Sequence, residues 1–210
     1  MQAMSEPART RTPSAGMESA LLDAASDLLE QEGPDALSIR RIAAAAGVAP
    51  MGVYNHFSSK SGIVEALFVQ GFDRLGRAMV SLNEIADPLE ALFEGGRRYR
   101  ALALAHPMAY QLMFLRAVPG FEPSEEARAT AARAFEGLAA AVRRAMQAGL
   151  IEPGDPATTA QMIWAGVHGW VSIELCGIGF VEDTDRGAEL MCAAMMEGLR
   201  TRSPGPLPTS

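Results

Sequence analysis

No stretch of this 210-residue chain alternates apolar and polar residues long enough to make a strand. Its apolar residues recur instead at three- and four-residue spacing, between breaks rich in glycine and proline. Over 17–32, Ala20, Leu21, Ala24, Ala25, Leu28 and Leu29 share one helical face, and Gly33-Pro34 stops that helix. Ser38 is a suitable N-cap for a second helix over 39–46, ended by Gly47. Pro50 suits the first turn of a third helix over 50–57, and Ser58 to Ser61 form a turn. Further helices are predicted over 62–82, 88–105, 108–116, 124–148, 157–176 and 185–202. The fold class is therefore all-α, with about nine helices and no sheet.

Hydrophobic residues make up 49% of the chain and charged residues 20%, enough apolar side chain for a real core and too little charge for disorder. The longest apolar candidate, 162–180, is interrupted by His168, Glu174 and four glycines, so no membrane span is expected. Residues 1–16 lack the apolar stretch of a secretory signal, which points to a cytoplasmic protein with a disordered amino-terminal arm. Residues 203–210 read as a flexible tail. Cys176 and Cys192 lack the close pairing of a zinc site and read as reduced thiols, so neither a metal nor a cofactor is expected. The histidines, His56, His106 and His168, lie in three separate segments without a nucleophile at a known spacing, and no strand precedes a phosphate-binding glycine loop. Catalysis is not expected.

A net charge of −7 would not by itself suggest nucleic acid, and the first 62 residues hold five Lys/Arg against seven Asp/Glu. Placement matters more than the total. The acids belong almost entirely to the first helix and its flanks, while Arg40, Arg41 and Lys60 bracket the second and third. Between them the chain reads SIRRIAAAAGVAPMGVYNHFSSK, Ser38 to Lys60. Ala43 supplies a small residue where two helices cross, Gly47 tolerates positive φ in the turn, and Val48, Val53 and Phe57 anchor the second helix inward. A tight corner of this kind presents the outer face of its second helix to the major groove. Pro50, Met51, Tyr54 and Asn55 lie on that face.

The set Ile42-Ala43, Ala46-Gly47-Val48, Val53-Tyr54, His56-Phe57 and Lys60 closely resembles the signature of the TetR family of transcription regulators. The resemblance covers residues 17–68 in detail and the remainder in helix order. It implies a helix-turn-helix DNA-binding domain over 17–64 and a helical ligand-binding and dimerisation domain over 65–202. It also implies that Tyr54, His56 and Lys60 touch the DNA backbone, a task to which a phenol, an imidazole and an ammonium are suited. Arg40 and Arg41 would add phosphate or base contacts, Asn55 an adenine edge and Met51 a thymine methyl. Ala49, where a capping Ser or Thr is frequent, and Pro50 with Met51, where relatives often place a donor, depart from the pattern.

In the second half, Trp164 and His168 share a helix face and Gly169 follows, a W-x-x-x-H-G arrangement that resembles one carboxy-terminal TetR subgroup. His168 reads either as the polar handle of a ligand pocket or as a satisfied core histidine beside an aromatic. Met108, Tyr110, Met113 and Phe114 resemble pocket lining in relatives, and they fill ordinary cores equally well. Gly166, Gly169, Ile173 and Gly177 form a small-residue face, and Met191, Ala194, Met195 and Gly198 an apolar stripe. By resemblance these final two helices make the dimer interface. The resemblance thus implies a homodimeric repressor that binds a palindromic double-stranded operator and is released by a small, partly apolar effector. The alternative is a helical small-molecule- or partner-binding module that no longer reads DNA.

Overall fold

The computed structural model of the protein describes residues 14–200. It is all-helical, and among the described residues extended pairing is limited to one isolated bridge, Ile151 to Arg200. The helices are α1 Ser14–Glu32, α2 Ile39–Ala45, α3 Pro50–Phe57, α4 Lys60–Val80, α5 Pro88–Ala105, α6 Pro107–Phe114, α7 Glu125–Gln147, α8 Pro156–Leu175 and α9 Thr184–Leu199. Short 3₁₀ turns at Pro34–Ala36 and Ser81–Glu84 follow α1 and α4. The chain divides into two compact units, one up to Leu67 and one from Phe68, with α4 contributing to both.

Local chemistry sets most helix starts. Asp87, Ser124, Asp155 and Asp183 each accept a backbone N–H from the first turn of α5, α7, α8 and α9. Such a cap is typically worth ~1 kcal/mol, because it satisfies a donor that the helix leaves unpaired. Pro88, Pro107 and Pro156 stand in first turns, where a missing N–H costs nothing. Arg144, in the last turn of α7, donates to the Leu82 and Ile85 carbonyl oxygens at 3.2 and 2.6 Å, tying the turn between α4 and α5 to α7.

Several boundaries differ from the periodic reading, four of them instructively. Helix α1 begins at Ser14, inside the stretch assigned to the arm, while residues 1–13 and the tail 203–210 lie outside the described residues. Helix α4 begins at Lys60, because the Ser59 hydroxyl accepts the Gly62 N–H at 3.2 Å and converts the expected turn into a cap. Helix α6 ends at Phe114, since Arg116 adopts φ 53° and cannot continue it. Helix α9 ends at Leu199, with Arg200 already extended.

In the first unit the core is Leu21, Ala25, Leu29, Ile42, Val53, Phe57, Ile63 and their buried neighbours. In the second, α5, α7 and α8 pack around Leu92, Leu138, Val142 and Ile163. Gly137 lets α7 approach α4 closely: a β-carbon there would lie 2.9 Å from Met79 Cβ and 3.1 Å from the Met79 and Val80 backbone. Among the described residues no helix is long and apolar enough to cross a membrane.

Candidate functional site

Helices α2 and α3 build a reading head. Ser38 caps α2 through the Arg41 N–H, and Ala43 is buried at their contact. Gly47 turns the chain at φ 67°, where an L side chain is strained, and the Val48 N–H then returns to the Ala43 carbonyl at 2.9 Å. Val53 and Phe57 hold α3 inward. Pro50, Met51, Tyr54 and Asn55 are left exposed on the opposite side, Met51 at 66% and Tyr54 at 50%. Ala49 has the extended backbone of an N-cap but gives α3 no side-chain cap.

The expected DNA-contact residues separate into two sets. Arg40, Pro50, Met51, Tyr54, Asn55 and Lys60 are exposed, and neither Arg40 nor Lys60 is in an ion pair among the described residues. Arg41 is exposed but its guanidinium pairs with Glu32. The His56 side chain is mostly buried, its Nδ1 4.0 Å from Glu18 Oε2, so it faces α1 more than the outer surface of α3.

The second unit holds a polar network inside an aromatic cluster. Tyr99 Oη of α5 and Tyr110 Oη of α6 lie 2.8 and 2.9 Å from His168 Nδ1 of α8, and Tyr110 Oη also lies 2.9 Å from Ser172 Oγ. Burial holds the His168 imidazole below its ordinary pKa, so the ring is neutral, and the same burial pushes both phenols upward. Phe114 sits among these groups, its ring centroid 5.2 Å from Tyr110, 5.3 Å from His168 and 5.8 Å from Trp164.

Beside the network is a cavity of about 310 Å³ whose lining includes Phe72, Leu75, Phe114, Phe135, Leu138 and Trp164. A smaller one of about 40 Å³, bounded by Tyr110 and Met113 among others, shares Leu75, Tyr99 and Phe114 with it. Of the expected ligand residues, Phe114 lines both cavities, Trp164 the larger, and Tyr110 and Met113 the smaller. His168 lines neither and stands behind the tyrosines as their shared partner; Met108 also lines neither. Sequence reasoning missed Tyr99. Its signal was present: a single aromatic inside Arg97-Arg98-Tyr99-Arg100 on a helix has to turn inward when its neighbours are charged.

The residues expected at the dimer interface also divide. Gly166, Met191 and Met195 pack against one another within the chain: a β-carbon on Gly166 would meet Met195 Sδ at 2.3 Å and Met191 Sδ at 3.7 Å. Gly177 lies beyond the end of α8, with φ 66°. Ile173, Ala194 and Gly198 are exposed, Gly169 has nothing above its Cα, and Met162 and Leu190 add exposed apolar surface on the same two helices.

Two family models match the chain. Residues 21–67 match the model described as bacterial regulatory proteins, tetR family, and residues 92–195 match the tetracyclin repressor-like C-terminal domain. An uncharacterised HTH-type transcriptional regulator of Mycobacterium tuberculosis is 24% identical over 185 residues, covering 87% of this chain and 81% of its own length. A solved structure from Rhodococcus sp. RHA1, of unknown function, superposes with a TM-score of 0.79 at 26% identity, covering 88% of this chain and 96% of that one. The structure of AibR in complex with isovaleryl coenzyme A and operator DNA superposes with a TM-score of 0.61 at 25% identity, covering 88% and 98%. With its reading head and its helical domain both matched, the chain belongs to the tetR family of helix-turn-helix transcription regulators.

Proposed function

We propose that this protein is a ligand-released repressor that binds a palindromic operator as a homodimer. The unit up to Leu67 reads DNA, and the unit from Phe68 senses the effector and dimerises through the outward residues of α8 and α9. The observation that carries this reading is the exposed face of α3, with Met51, Tyr54 and Asn55 outward and the unpaired Arg40 and Lys60 flanking it. In a dimer two such faces enter successive major grooves about 34–36 Å apart. Tyr54, Lys60 and Arg40 contact phosphates, Asn55 an adenine edge and Met51 a thymine methyl. That AibR was solved with both operator DNA and a small ligand supports a two-ligand cycle for this relative. Coupling between the two sites of such a regulator amounts to ~1–3 kcal/mol.

Among the described residues Arg41 is tied to Glu32 and His56 is turned to Glu18, which favours one competing reading, a helical binding module that no longer reads DNA. Fluorescence anisotropy on DNA from the protein's own upstream region, against scrambled DNA and across a salt series, separates the two. A repressor binds its operator tightly, loses affinity steeply with salt, and is weakened roughly tenfold by Tyr54→Ala, with the salt slope reduced by about 1 in Lys60→Ala. Equal, weak binding to both DNAs, followed by an empty selection from a random library, would overturn the repressor reading.

A further inference from the structure

The larger cavity is walled by five aromatic side chains, Leu75, Met79, Leu138, three alanines and Gln161, and no Lys, Arg, His, Asp or Glu lines it. The pocket opens to solvent between the exposed Ala132 and Gln161, and apolar surface of this extent is costly to leave against water. From this we infer the chemical class of the effector: an uncharged bicyclic aromatic molecule carrying one hydroxyl or carbonyl group. The inference rests on the sensing role proposed above and adds to it size, charge and the position of the polar group.

Size follows from volume. A cavity of about 150 Å³ accepts benzene, so the 310 Å³ here accommodates two fused rings, roughly a dozen non-hydrogen atoms. Charge follows from the lining. A carboxylate pushed among the rings would lose its water, and one held at the rim would find no cation in the lining to pair with, so a neutral oxygen fits better at either place. Arg74 and His106 do border the smaller cavity, but its 40 Å³ has room for only a few water molecules. Aromatic character follows from the five rings, which favour edge-to-face and offset contacts with a planar guest.

The polar group is placed by elimination. The Tyr99 hydroxyl is engaged with His168, and the Trp164 N–H can donate but not accept. Gln161 is the remaining polar side chain of the lining, it is exposed, and it has no hydrogen-bond partner among the described residues. Its carboxamide both donates and accepts, so it takes a hydroxyl or a carbonyl equally well. With Ala132 also exposed, Gln161 marks the mouth of the cavity between α7 and α8. The guest therefore enters rings first and leaves its oxygen at the rim.

Calorimetric titration of the full chain with 2-naphthol, naphthalene, 2-naphthoate and dodecanoate tests this directly, without DNA. The expected result is binding of 2-naphthol roughly tenfold or more tighter than either carboxylate. Ala131→Phe, which fills the cavity, weakens 2-naphthol by roughly tenfold, and Gln161→Leu, on the surface and harmless to the fold, brings 2-naphthol and naphthalene within about twofold of each other. If Ala131→Phe fails to fold, the Gln161→Leu selectivity decides alone. Carboxylates that bind as tightly as 2-naphthol, no binding of either neutral aromatic, or a preference for 2-naphthol untouched by Gln161→Leu would overturn the inference. A chain that binds its operator but no neutral aromatic loses this ligand class and keeps the repressor reading. One that binds 2-naphthol but no operator does the reverse.

Discussion

The two units of this molecule place their polar groups in opposite ways. The reading head is apolar throughout its core, from Leu21 to Ile63, and every group with chemistry to offer DNA stands at its surface or rim. The sensing unit carries polarity inside: two phenols, an imidazole and a serine hydroxyl meet between α5, α6 and α8 beside an apolar cavity. The difference follows from what each unit has to recognise. Phosphates and base edges lie outside the protein, so the head needs a rigid frame that holds side chains outward. An effector, on the function proposed above, has to be enclosed, and the unit from Phe68 places its directional hydrogen bonds beside a pocket lined mostly by apolar side chains.

The strongest challenge to the rigid-frame half of this contrast is Gly62→Ala. A β-carbon there would lie 2.1 Å from the Phe57 carbonyl oxygen, and backbone cannot yield as a flexible side chain does. A loss of about 3 kcal/mol is expected in urea unfolding, and an unchanged midpoint would mean that the junction of α3 and α4 is loose. The interior network is probed by Tyr110→Phe. Removing its hydroxyl strips a partner from both His168 and Ser172, and about 2 kcal/mol of stability should go with it. Thermal melts that coincide with those of the unaltered chain would reduce the network to incidental contact.

Acid sharpens the contrast further. Because burial lowers the folded-state pKa of His168 below its ordinary 6.5, the unfolded chain binds the extra proton first. The stability this group contributes is complete above about pH 6.5 and is lost progressively as pH falls from there through the lower folded-state pKa. The carboxylates of Glu94 and Glu174, held below their ordinary 4.5 by Arg98 and Arg100 respectively, lose their contribution only at lower pH. Unfolding at pH 7.5 and 5.5 should therefore show a fall that His168→Gln abolishes. A fall of equal size in that variant would assign it to another group. The smallest effect concerns the head: Ala49→Ser places a hydroxyl at an N-cap with suitable extended backbone and should stabilise by about 1 kcal/mol. A gain near zero would show that α3 is held by packing alone.

The reading head was legible in the sequence because short-range physics specifies it. Ser38 as a cap, Gly47 as the positive-φ turn, and Val53 and Phe57 as inward anchors act within a few residues of themselves, and each took the expected place. Even there, tertiary neighbours decided two residues. Arg41 found Glu32, and His56 turned toward Glu18, because both carboxylates come from α1, outside the motif.

In the sensing unit the sequence determined helix number and order, since periodicity is local. It did not determine the site. Tyr99 and Tyr110 stand 69 and 58 residues before the histidine they share, and no local pattern records such a meeting. Nor did the small-residue stripe reveal which members pack within the chain: Gly166 accepts Met195, while Gly169 has nothing above its Cα and Ile173 is exposed. A helix face is written in the spacing of its residues. What covers that face, and where a gap is left, depends on how α4 to α9 fill space together, and only the tertiary structure decides it.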